Sequence, residues 1–191
     1  SEVCVGSTGI IGKPLPVQKI EAVIPALVDV LSRKGSETAA RSIMTTDTKL
    51  KEVAAEIMLG GKKVRIGAIA KGAGMIHPEM ALPHATMLCF VTTDAVIGLS
   101  ALRAALAAAV ADTFNMITID GDMSTNDSVI VLANGLAGNK PISAGSKAFA
   151  LFAETLRRLF LALAQTMVRD AEGAATKFAQ ANSRIYCSAV P

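Results

Sequence analysis

Tryptophan is absent from this 191-residue chain and tyrosine occurs once, so there is no aromatic platform on which nucleic-acid bases could stack. The net charge is only +3, and no run of lysine and arginine gathers it into the basic stripe that a phosphate backbone requires. Both observations argue against nucleic acid as a partner. Three cysteines, Cys4, Cys89 and Cys187, are an odd number without paired spacing. That fits reduced core thiols in a cytosolic or organellar-matrix protein better than a disulfide framework. Only two histidines occur. His77 and His84 are seven residues apart on a proline-bearing stretch, which is neither helical ligand spacing nor a zinc pattern, so no metal is expected. Long charge-free apolar runs are lacking too: the most apolar long segment, 148–168, carries Glu154, Arg157 and Arg158 near its middle, which makes a membrane span costly. No signal-peptide pattern opens the sequence.

What the chain does have is apolar bulk. Hydrophobic residues make up 51% and charged residues 18%, a composition that suits one globular domain with a sizeable core over residues 1–191. Residues 3–11 read as a short strand broken by a Ser-Thr-Gly turn. After Pro14 and Pro16 an amphipathic helix places Ile20, Ile24, Leu27 and Leu31 on one face, with Gly35 as its stop. Residues 43–48, 64–70, 87–93, 116–119 and 129–133 read as strands, 99–112 as an alanine-rich helix, and 146–170 as the longest helix. Strands and helices mixed without regular βαβ alternation predict a layered α/β (α+β) architecture.

The chemistry concentrates around Lys71-Gly-Ala-Gly-Met-Ile-His-Pro-Glu-Met80 and the nearby Ala85-Thr86-Met87-Leu88. A threonine hydroxyl is a poor nucleophile unless a base stands beside it, and a freshly liberated α-amino group on the same residue can be that base. Cleavage between Ala85 and Thr86 would supply one without a histidine, and the small Ala85 leaves its carbonyl open to attack. The plainer reading is a loop entering a core strand. Lys71 is either a surface lysine at a strand end or a compact cation held out to a substrate carboxylate. No Gly-Lys-Ser/Thr follows, so this is not a phosphate-binding loop. Thr8-Gly9 reads on its own as a tight turn, and Glu172 as a solvated helix end. The 120–127 segment suggests a calcium loop, but Val131 stands where that loop needs a glutamate, so a hydrogen-bonded turn supporting the neighbouring strand is expected instead.

The stretches 7–16, 43–48, 71–80, 85–94, 120–127 and 168–178 together resemble, in order, the ornithine acetyltransferase (glutamate N-acetyltransferase) family of arginine biosynthesis. The resemblance implies a layered sandwich of central β-sheets flanked by helices, of the N-terminal-nucleophile type, and cleavage into 1–85 and 86–191. It implies that Thr86 takes an acetyl group from N-acetylornithine and passes it to glutamate. Thr8 and Gly9 would form the oxyanion hole, and Thr45, Lys71 and Glu172 would bind substrate. No cofactor is implied beyond acetyl-CoA as an acetyl donor in bifunctional members. The implied setting is the cytoplasm, or the mitochondrial matrix in a eukaryote, with small amino-acid substrates, no membrane, and a homo- or hetero-oligomer of cleaved chains. Family members run from His-Pro-x-Met directly into Ala-Thr-Met-Leu, whereas here Ala81-Leu82-Pro83-His84 intervenes. Two other readings therefore stay open: an uncleaved, truncated, non-catalytic scaffold, and a related self-processing aminopeptidase-like hydrolase.

Overall fold

The computed structural model describes residues 3–80 and 87–172. Its centre is one four-stranded sheet in the order β1-β2-β3-β4, formed by Lys51–Leu59, Lys62–Lys71, Leu88–Thr93 and Ser128–Ala133. Strands β1 and β2 form a hairpin that turns at Gly60 and Gly61, both at positive φ (58° and 80°), the conformation that a tight turn between twisted strands demands. β2 and β3 are antiparallel, whereas β3 and β4 are parallel. Parallel neighbours need a crossover, and helix α3, Leu99–Ala111, provides it. The class is the α/β expected from the sequence, and among the described residues there is this one sheet.

Side chains alternate across a strand. Val53, Ala55, Ile57, Val64, Ile66, Ala68, Ala70, Cys89 and Val91 point into the core. Helix α4, Lys147–Arg169, covers that face with Phe152, Leu156, Leu159, Phe160, Leu163 and Met167, spaced as one stripe of an amphipathic helix. Its start is capped by Ser146, whose Oγ accepts from the Phe149 N–H at 3.1 Å. Helix α3 buries Ala101, Ala105 and Ala109, small residues that let it lie close against α4. The rings of Phe114 and Phe160 meet with centroids 5.0 Å apart. Glu154, Arg157 and Arg158 pair with one another on the outer side of α4, and no helix among the described residues is long and apolar enough to cross a membrane.

Three expected strands are not formed. Residues 3–11 run without a ladder partner, though Gly6 lies close over the sheet, where an added Cβ would come 3.1 Å from Phe90. Residues 43–48 are turned instead by hydrogen bonds to two aspartates. Residues 116–119 follow a single 3-10 turn, Phe114–Met116, and are held by an Ile119 N–H to Ile76 carbonyl bond of 2.8 Å. Strand β1 was missed because Lys-Glu-Val-Ala-Ala-Glu-Ile-Met-Leu is rich in good helix formers, and pairing with β2 overrides that local preference. A short helix α2, Ser36–Ser42, was also not expected. The amphipathic helix forms as α1, Val17–Asp29, but buries none of its residues.

Removing the ring at the junction of α4 with the 3-10 turn tests this packing. Phe160→Ala should cost about 3–5 kcal/mol of folding stability, read as a lower urea midpoint at unchanged slope.

Candidate functional site

Lys71 ends strand β2, opposite Leu88 of β3. It is fully buried, and its Nζ has no hydrogen-bond partner among the described residues. This contradicts the surface-lysine reading. Burial pushes its pKa down, while the charges of Asp47 and Asp127 pull it back up. An ammonium withdrawn from water with its donors unspent is costly, so this position calls for a partner beyond the described residues.

The backbone after Lys71 is shaped by its glycines. Gly72 has φ 148°, and a Cβ there would come 2.9 Å from Ile76 Cδ1. Its N–H donates to Asp47 Oδ1 at 2.7 Å. The same aspartate accepts from the Thr45 N–H at 3.2 Å, which holds Thr45 beside the end of β2 with its side chain exposed. On the other flank, the Glu172 N–H donates to the Ala73 carbonyl at 2.7 Å, and a Cβ on Gly74 would collide with Glu172 Oε2. The Lys-Gly-Ala-Gly segment is thus flanked by Thr45 and Glu172, residues about 130 positions apart in sequence. These three sequence-predicted residues are brought together.

Ala85 and Thr86 lie outside the described residues. Met87, the next residue, is fully buried and donates its N–H to Asp127 Oδ1 at 2.5 Å. The Ser128 N–H donates to the Met87 carbonyl at 3.0 Å. The 120–127 segment is the expected supporting turn: Asp120 accepts from the N–H groups of Met75, Ile76 and Asp122. Thr8 and Gly9 sit in a shallow concavity of about 230 Å³ formed by residues 7–13 with Thr125 and Asn126. The residue after these two is Asp127, which holds Met87. A larger concavity of about 700 Å³ lies beside this region, between α3 and β4, with Met80, Arg103, Val110, Asn115 and Asp127 in its lining.

A buried ion cluster underlies the arrangement, and sequence reasoning missed it. Lys51 Nζ lies 2.6 Å from both Asp47 Oδ1 and Asp170 Oδ2. Asp170, at the end of α4, also accepts from the Thr48 N–H and hydroxyl and from the Lys49 N–H at 3.0 Å. For both aspartates burial raises the pKa, but the hydrogen bonds outweigh it and hold each carboxyl below its ordinary value. The available signal was Lys51 itself: it occupies the inward side of the β1 alternation with Val53, Ala55 and Ile57, where a lone charge needs partners.

The model of the ArgJ family matches residues 1–184. The chain is similar to proteins named arginine biosynthesis bifunctional protein ArgJ. That of Symbiobacterium thermophilum is 54% identical over 170 residues, covering 89% of this chain and 41% of the relative. That of Thermotoga neapolitana is 48% identical, covering 90% and 42%. The crystal structure of the Bacillus halodurans protein of the same name shares 47% identity over 44% of this chain and 40% of that one, with a TM-score of 0.43. The chain spans about two fifths of the length of the curated relatives it matches.

The depressed carboxyls carry a pH signature. They stabilise the fold in full above their unfolded value of 3.8, and that contribution disappears as pH falls through their folded values. Asp170→Asn should therefore lower the urea midpoint in full at about pH 7 and by progressively less as pH falls below 3.8. A loss independent of pH would contradict this account.

Proposed function

The chain belongs to the ArgJ family, and from that premise we propose that it carries the nucleophile and a large part of the substrate site of an acetyltransferase of arginine biosynthesis. Cleavage between Ala85 and Thr86 yields pieces 1–85 and 86–191 and frees the Thr86 α-amino group. That amine takes the proton from the Thr86 hydroxyl as its oxygen attacks the acetyl carbonyl of N-acetylornithine. Ornithine leaves with a proton on its nitrogen, and acetyl-threonine remains. The amine of glutamate then attacks the ester, forms N-acetylglutamate and returns the hydroxyl. The Thr8 hydroxyl and Gly9 N–H hold the oxyanion that develops in each half-reaction.

Lys71 pairs with the substrate carboxylate, Glu172 with a substrate ammonium, and Thr45 donates a further hydrogen bond. The observation that carries the reading is the fully buried Lys71 ammonium with unspent donors, flanked by Thr45 and Glu172. The anchoring of Met87, one residue past Thr86, by Asp127 supports it from the nucleophile side. Amino-acid substrates need no organic cofactor here, and acetyl-CoA is an alternative acetyl donor. The working form is an oligomer of cleaved chains in the cytoplasm, or in the mitochondrial matrix of a eukaryote.

Intact mass under denaturing conditions tests the first step. Two pieces of 85 and 106 residues are expected, and Thr86→Ala should abolish them; a single uncut chain in the unmutated protein leaves the scaffold reading in front. Gly74→Ala tests the substrate flank. The atoms nearest the new Cβ all belong to the flexible Glu172 side chain, with its carboxylate oxygen the one in conflict, so folding should be nearly unchanged while KM rises about tenfold as Glu172 is displaced. An unaltered KM would remove Glu172 from the site.

A further inference from the structure

Two lysines stand fully buried near one carboxylate, and they are satisfied very differently. Lys51 spends all three donors, on Asp47 Oδ1, on Asp170 Oδ2 and, at 3.3 Å, on the Lys49 carbonyl. Lys71 spends none among the described residues. Asp47 explains the difference. Its Oδ1 already accepts from Lys51 and from the Gly72 N–H, and its Oδ2 from the Thr45 N–H. It therefore attracts Lys71 through space without binding it.

We infer that Lys51 is a positioning residue for the acetyl-transfer site: by occupying Asp47 it keeps that carboxylate from capturing Lys71, so the Lys71 ammonium remains free for the substrate. The inference rests on the functional reading above, in which Lys71 meets the substrate. The charges that face Lys71 are Asp47, from the loop before β1, and Asp127, from the loop before β4. Glu172 lies against Gly74, just beyond. Asp127 is held by the Met87 N–H, whereas Asp47 is the carboxylate that Lys51 touches, so it is the one whose state Lys51 changes. Were Lys51 neutral, Asp47 would be a buried anion with Lys71 as the cation at hand, and a buried charge takes an available partner. Through Asp170 the same ammonium also ties down the end of α4, two residues before Glu172.

Two double variants with the same net charge separate this from a merely structural role. Lys51→Met with Asp170→Asn leaves Asp47 charged beside Lys71. Lys51→Met with Asp47→Asn leaves Asp170 charged, still holding its bonds from Thr48 and Lys49. The readouts are KM and kcat for N-acetylornithine, and the titration of the Lys71 ε-carbon by NMR in lysine-labelled protein, assigned with Lys71→Arg. The variant that keeps Asp47 should raise KM at least about tenfold with kcat little changed, and its Lys71 should titrate at higher pH than in the unmutated protein. The variant that loses Asp47 should show no upward move of Lys71; it also loses one of the bonds that hold Thr45 and Gly72, so the titration and not KM is the readout that separates the two. Equal titration of Lys71 in the two variants overturns the inference. If the unmutated protein transfers no acetyl group, the functional reading fails while the titration still decides the capture of Lys71. Should either double variant not fold, Lys51→Gln alone decides: Lys71 must titrate higher, and an unchanged or lower titration overturns the proposal.

Discussion

The ammonium of Lys51 is sealed from solvent between Asp47 and Asp170, and the candidate site depends on how those three charges are satisfied. Removing one partner of such a cluster strands a buried charge, which costs far more than the cluster's net contribution to stability. Its value here is geometric. Asp47 gathers the N–H groups of Thr45 and Gly72, and Asp170 gathers Thr48 and Lys49 at the end of α4. One ammonium therefore joins the loop before β1, the end of β2 and the end of the longest helix.

Around that anchor the glycines decide what can approach. Gly72 turns the chain where a side chain would strike Ile76, and Gly74 leaves room for the Glu172 carboxylate. The same economy appears in the core, where alanines on α3 let it close on α4. A rigid sheet then presents loop residues at one end, the usual division between scaffold and site. Asp127 and Asp120 extend the pattern: each is a loop carboxylate spent on backbone N–H groups, one fixing Met87 and the other fixing Met75 and Ile76.

Much of this was legible beforehand. The apolar stripe of α4, its Ser146 start, the alanine-rich α3 and the β-branched runs of β2 to β4 are strong local patterns, and packing obeyed them. The failures share a cause. Strand β1 carries helix-forming residues and becomes a strand only by pairing with β2 across Gly60-Gly61. Residues 3–11 and 116–119 have strand composition but no full ladder to join. The apolar face of α1 is present as a sequence pattern, yet it meets no core among the described residues. Local propensity gives way wherever hydrogen-bond partners lie far along the chain.

By itself, the sequence determined the α/β class, the main helices and the family, because periodicity and ordered motifs are properties of neighbouring residues. Through the family resemblance it also singled out Thr45, Lys71 and Glu172 as candidate substrate-binding residues. Only the tertiary structure decided that Lys71 is buried with its donors unspent, and that Thr45 and Glu172 flank it. It alone decided that Lys51 is held by an aspartate 119 residues away in sequence. Burial and charge pairing arise from contacts between distant segments, and no local pattern records which carboxylate will meet which ammonium.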